Sequence, residues 1–333
     1  MLVWLAFAAL ILFLLALDLG VFHRNAHVVS AREGLAWSFV WMTLAFGFAV
    51  FIYYAYERQW LGLGTAPDAV DRAVNDGSSA VLKYLTGYVV EQSLSIDNMF
   101  VIAMLFRFFA VPAIYQHRVL FWGILGALTM RGAMIAIGTA LVSQFAWVLY
   151  VFGGFLILTA GKMLFANVEE QDPRNNILVR TTRRLFPTTK RYYGQRFIMR
   201  RGGRYLLTPL ALALVMVEAT DVIFAVDSIP AIFAITTDPF LVFASNAFAI
   251  LGLRSLYFVL AGALTSFRYL KVSLAIVLAL VGTKMMMHTW LKELLGEYFN
   301  LYVLAAIVLI LAGGTIASLL VTAGEQPERA DRR

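Results

Sequence analysis

Glu91, Asp97, Glu218, Asp221 and Asp227 stand inside stretches that are otherwise almost wholly apolar, and they are the groups in this chain best equipped for chemistry. The first pair reads Glu91-Gln-Ser-Leu-Ser-Ile-Asp97-Asn98. The second reads Asp221-Val-Ile-Phe-Ala-Val-Asp227-Ser228, with Glu218 three residues upstream. In both, an acid and an Asp stand six apart, and a small oxygen-bearing residue follows the Asp. Carboxylates, an amide and a hydroxyl are hard oxygen donors. None of the four histidines (His23, His27, His117, His288) lies among them, and the chain has no cysteine. Such a set suits Mg2+, Ca2+ or Mn2+ and disfavours copper or structural zinc. We read Glu91, Asp97, Asn98, Glu218, Asp221, Asp227 and Ser228 as candidate metal ligands. Met99, Met216, Met285, Met286 and Met287 read as packing residues rather than soft ligands.

The surroundings make these acids expensive. The chain is 61% hydrophobic and 14% charged, with a mean hydropathy of +0.78, unlike a soluble domain. Apolar runs at 2–22, 35–56, 80–106, 119–141, 145–166, 206–233, 240–264, 272–290 and 299–322 predict nine transmembrane helices, each able to cross about 30 Å of hydrocarbon. A carboxylate at mid-bilayer costs about 2.5–3.5 kcal/mol on insertion scales, so five of them need about 12–17 kcal/mol of compensation. The fold class is therefore an all-α polytopic membrane protein forming one transmembrane domain over 1–333. The first run has no preceding Lys or Arg and is too long for a cleavable signal. Without cysteine, disulfides and thiol catalysis are excluded.

Basic residues set the expected orientation. Connections 23–34, 107–118, 167–205 and 265–271 and the tail after 322 hold 19 Lys and Arg, whereas 57–79 and 291–298 hold three. This bias puts the N-terminus outside and the C-terminus in the cytoplasm. The basic loop 167–205 reads as a cytoplasmic loop obeying the positive-inside bias rather than as a nucleic-acid or anionic-lipid site. The acidic loop 57–79, with Asp68, Asp71 and Asp76, reads as solvated surface.

Three landmarks recur in order, one per span: Asp97, Arg131 and Lys162-Met163, then Asp227, Arg254 and Lys284-Met285. They predict two three-helix repeats at 80–166 and 206–290. An odd number of spans per copy makes the repeats inverted, as in many secondary transporters. Arg131 and Arg254 are expected to offset two of the five acidic charges, leaving room for a divalent ion and an exchanged proton. Asp18 is the one acid deep in a span outside the repeats. Residues six apart differ by about 120° around a helix, so one straight helix cannot aim both acids alike. Either two helices wrap the site, or each helix is interrupted; Pro230 favours interruption in the second copy.

At these residues the chain resembles the TerC/Alx family, whose segments Glu-x-Ser-Leu-x-x-Asp-Asn and Glu-x-x-Asp-x-Ile-Phe-Ala-Val-Asp-Ser-Ile-Pro-Ala stand here at 91–98 and 218–231. The likeness runs through Thr237-Asp-Pro-Phe and Phe248-Ala-Ile-Leu-Gly-Leu-Arg254, covering about 30 to 290. It implies a protein of the bacterial inner membrane in the lysine-exporter-like superfamily, associated with manganese export, metal homeostasis and tellurium resistance. The expected function is Mn2+ export from the cytoplasm, with Ca2+ the other candidate ion and proton antiport the expected drive. The alternatives are a membrane partner that hands metal to secreted metalloenzymes at the secretion machinery, or a metal-homeostasis protein with no transport of its own. An enzyme is not expected: the Gly-x-Gly-Asp motif of intramembrane aspartyl proteases is absent, and no histidine stands among the acids for phosphatase chemistry.

Overall fold

The computed structural model describes residues 2–18, 30–165, 188–189, 191–201, 204–261 and 270–330. Among the described residues, nine long helices correspond one to one with the nine apolar runs. They are α1 (Leu2–Leu17), α2 (Ala31–Glu57), α3 (Gly77–Phe108), α4 (Ala113–Gln144), α5 (Val148–Phe165), α6 (Pro209–Phe233), α7 (Pro239–Ala261), α8 (Leu270–Met286) and, after the short α9 (His288–Leu295), α10 (Phe299–Ala330). Seven of them, α2 to α7 and α10, are long and apolar enough to cross a membrane. Within the expected basic loop, strands β1 (Ile198–Arg201) and β2 (Arg204–Leu207) pair antiparallel, a small departure from an all-helical chain. Residues 166–187 of that loop lie outside the described residues.

Local chemistry sets the helix ends. Asp76 caps α3 in a reciprocal box: its carboxylate accepts from Ser79 N–H at 2.7 Å, while Ser79 Oγ accepts from Asp76 N–H at 3.0 Å. Thr208 caps α6, with Pro209 in the first turn, where its missing N–H costs nothing. Helix α1 shows how lipid-facing helices pack. Val3, Phe7, Ile11 and Leu15 are buried at four-residue intervals, while Leu2, Leu5, Leu12 and Phe13 are exposed, so it is apolar all round. Its buried stripe meets α7 through Phe7 against Phe240 and Phe243, with the ring of Phe48 of α2 tilted against Phe248, centroids 4.7 Å apart. Helix α7 is mostly buried and forms the centre of the bundle.

The two triplets α3–α5 and α6–α8 interlock. Helix α3 packs on α7, α4 on α6, and α5 on α8. At the last of these contacts Gly153 and Gly282 face each other: a Cβ on either would lie about 3 Å from the other's carbonyl oxygen. Small residues let backbones approach this closely inside a membrane bundle.

One end of the bundle corrects the expectation of a solvated acidic loop. Asp68 is buried, and it accepts from Lys83 Nζ at 2.9 Å, from Thr237 N–H at 3.0 Å and from the hydroxyls of Thr236 and Thr237. Lys83 also pairs with Asp71 at 2.8 Å and donates to Asn75 Oδ1 at 2.6 Å. Burial pushes the Asp68 carboxyl up, but Lys83 and these hydrogen bonds outweigh it and hold it down at about 2. Only Asp76 of the three acids behaves as surface, its pKa lowered by the Ser79 hydrogen bonds of the cap. The loop looked solvated because its partners, Lys83 and the Thr236-Thr237 corner, are remote in sequence.

Candidate functional site

The acids sit near the middle of long, unbroken helices. No interruption occurs at 91–97 or 221–227, and α6 runs through Pro230 to Phe233. Pro230 offers no N–H to the Val226 carbonyl, yet the backbone stays helical through it to Phe233, so it does not break the helix at the acids. The wrapped alternative therefore holds. The six-residue spacing sends Asp221 and Asp227 to different neighbours. Asp221 faces α4, where Arg131 forks onto it through Nη2 at 3.0 Å and Nε at 3.3 Å. Asp227 faces α5, with Thr159 Oγ1 3.5 Å away and Lys162 within electrostatic reach.

Seven residues bring a helix back to within about 20° of the same face. Ser228 accordingly shares the face of Asp221 and lies 3.3 Å from Arg131 Nη1. The same Nη1 donates to Glu91 Oε1 on α3 and to Asn246 Oδ1 on α7 at 3.1 Å. Ser95 Oγ, one turn beyond Glu91, donates to the same Oε1 at 3.3 Å. Arg131 is wholly buried, and its fixed fork of donors draws α3, α6 and α7 onto α4. Asn98 is buried on α3, and the side chain of Asp97 lies outside the described residues.

Two carboxylate oxygens are left over. Glu91 Oε2 and Glu218 Oε2 are buried with no hydrogen-bond partner among the described residues. Glu218 lies against Gly126 of α4, where a Cβ would overlap its carboxylate. Among the described residues no three His, Asp or Glu side chains gather as a metal-sized group. The acids thus form a pair bridged by arginine, with Glu218 beside it and Asp227 turned toward α5, rather than one five-acid cluster.

Arg254 does not join them. It donates to Asp18 at the end of α1, so the expected offset of two site charges falls to one, carried by Arg131. Met99, Met216 and Met285 pack in the apolar core, whereas Met286 and Met287 are exposed. Asn246, Ser95, Thr159 and Gly126 were not singled out from the sequence. Asn246 was detectable, as an amide buried within an apolar span.

A bundle of membrane-crossing helices around a buried acid–arginine centre defines an integral multi-pass membrane protein. The chain belongs to the TerC family of integral membrane proteins: residues 76–326 match its sequence profile, as the motif resemblance implied. It is 47% identical over 317 residues to an uncharacterised membrane protein of Myxococcus xanthus, covering 95% of this chain and 92% of that one. It is 44% identical over 313 residues to Alx of Escherichia coli K12, whose name proposes a membrane-bound redox modulator, with 92% and 94% covered. An uncharacterised membrane protein of Rickettsia bellii is 37% identical over 95% of this chain and 97% of its own. No solved structure matches the chain.

Proposed function

We propose that this protein is a secondary transporter that exports Mn2+ from the cytoplasm through the site around Glu91 and Asp221. The observation that carries the proposal is the pair of unpartnered buried oxygens, Glu91 Oε2 and Glu218 Oε2, beside the Arg131-bridged carboxylates. Buried carboxylate oxygens without partners are costly, and a divalent cation would satisfy them. The donor set, all oxygen, favours a hard ion. Membership of the TerC family favours manganese over calcium. The site would lie within the bilayer of a bacterial inner membrane, with the N-terminus outside and the C-terminus inside, an orientation that the loop charges favour.

Two inverted three-helix units, 80–166 and 206–290, would supply alternating access. Their support is the packing pattern: exchanging the triplets maps the α3–α7 contact onto α6–α4 and leaves α5–α8 paired with itself. Glu91 of one unit and Asp221 of the other meet at the same guanidinium, that of Arg131. A redox role of the kind that the name Alx proposes could not run through thiols here, since the chain has no cysteine.

The test uses the purified protein in liposomes loaded with Mn2+, and cells lacking their own manganese exporter. Wild type should move Mn2+ and lower cellular manganese, and Glu91→Gln, Asp97→Asn and Asp221→Asn should not. Correctly inserted variants that still rescued growth in high manganese would refute the ligand assignment. Binding without flux in wild type would instead leave a metal-donating membrane partner.

A further inference from the structure

We infer that Arg131 is a tethered counter-cation that occupies the carboxylates of the empty carrier and must surrender them when a divalent ion loads. This rests on the reading of Glu91 and Asp221 as cargo ligands. Arg131 is wholly buried, and its donors reach Asp221 at 3.0 and 3.3 Å, Glu91 Oε1, Asn246 Oδ1 at 3.1 Å and Ser228 Oγ at 3.3 Å. It is the only basic side chain that the described residues place against these two carboxylates.

An ion coordinated by Glu91 and Asp221 would find Glu91 Oε2 free among the described residues, but both oxygens of Asp221 are now held by the guanidinium. It would also stand within a few ångströms of a positive charge that proteins do not deprotonate. Occupancy is therefore exclusive. The guanidinium has somewhere to stay when it gives up the acids, because Asn246 Oδ1 and Ser228 Oγ are neutral acceptors already in contact. They hold the side chain without contesting the ion.

The exchange gives the empty carrier what it needs to reorient in hydrocarbon. Two bare carboxylates would oppose the return step, and a covalently attached cation offsets one of their two charges and hydrogen-bonds both without being carried across. The same competition helps to expel the ion. Arg131 thereby sets affinity against turnover, which a residue serving only the fold would not do.

The experiment compares wild type, Arg131→Gln and Arg131→Lys as full-length protein, with Mn2+ alone as the probe. Calorimetry in detergent reads binding, and proteoliposomes read efflux. Arg131→Gln should bind Mn2+ about tenfold more tightly, within the usual range of coupling between two sites, while efflux falls at least as far. Arg131→Lys keeps a charge but cannot fork onto two carboxylates, so it should move both readings the same way by a smaller factor. Folded Arg131→Gln with unchanged efflux, or with weakened binding, would overturn the inference. If Arg131→Gln fails to insert, Arg131→Lys decides: affinity equal to or below wild type overturns it. Failure of wild type itself to bind or move Mn2+ would remove the transport reading and this inference together; normal wild type with contrary variants would remove only the inference.

Discussion

Lys83 and Asp68 form an ion pair at 2.9 Å whose two side chains are 1% and 0% exposed, pinning the 58–76 connection onto the start of α3 and the α6–α7 corner. Removing one partner of a buried pair strands the other, so Lys83→Met should destabilise the protein by about 3–5 kcal/mol, and Lys83→Met with Asp68→Asn by clearly less. Thermal unfolding of the single and double variants in detergent measures the difference. A double-variant loss equal to the sum of the two single losses would show that the charges do not act on each other.

The same carboxylate predicts an acid limb. Its folded pKa of about 2 lies below the usual value of about 3.9, so its stabilisation is complete above that usual value. It is lost only as pH falls from about 4 through about 2. Unfolding temperatures followed down to low pH should show this loss in wild type and not in Asp68→Asn. A change confined to pH 6–8 would have to come from other groups.

Glycine at 126 is required by the carboxylate of Glu218, whose position a Cβ would take. Gly161 on α5 has open space around its own Cβ direction. Replacing a helical Gly with Ala gains up to about 1 kcal/mol of helix propensity where nothing obstructs it. Gly161→Ala should thus be neutral or stabilising with full Mn2+ efflux, and Gly126→Ala should lose efflux by displacing Glu218. Matching activities in the two variants would show that the Glu218 position does not matter.

Arg254 and Asp18 are a second buried ion pair, away from the acids bound by Arg131. Arg254→Gln should destabilise the protein by removing the positive member of this buried pair. The protein that folds should keep its Mn2+ affinity. Calorimetry on Arg254→Gln beside Arg131→Gln separates the roles of two arginines that look equivalent in the repeat.

Tyr192 ties the segment before the β-hairpin to the α3–α4 turn by donating its hydroxyl to Phe109 O at 2.6 Å. Tyr192→Phe should weaken that attachment by about 0.5–1.5 kcal/mol. Hydrogen exchange in residues 191–201 should accelerate while the helices stay protected. Unchanged exchange there would mean that Arg118, which donates to Gln195 at 3.0 Å, suffices alone.

The helices were legible because hydrocarbon tolerates so few sequences: a run must be predominantly apolar over about 20 residues, and seven of the described helices are long and apolar enough to cross. The acids were legible for the same reason, as exceptions that cost energy. What could not be read was which neighbour each acid would meet. The azimuth separating Asp221 from Asp227 follows from their spacing, but that one meets Arg131 and the other Thr159 depends on how α4 and α5 pack. Arg254 shows the limit of counting charges along a repeat, since its partner Asp18 comes from a helix outside both copies. Asp68 shows the limit of composition, because a polar loop reads the same whether it is solvated or folded onto a lysine.

Where α5 meets α8, Gly153 and Gly282 put backbone against backbone. Interlocked side chains resist turning as well as separation, because each knob must leave its hole before the helices can roll. Here the two glycines are the holes: Met285 and Met286 of α8 close on Gly153, and Leu156 and Ile157 of α5 close on Gly282. The contact therefore resists rolling as well as separation between the two halves of the molecule. A side chain at either position would force them apart.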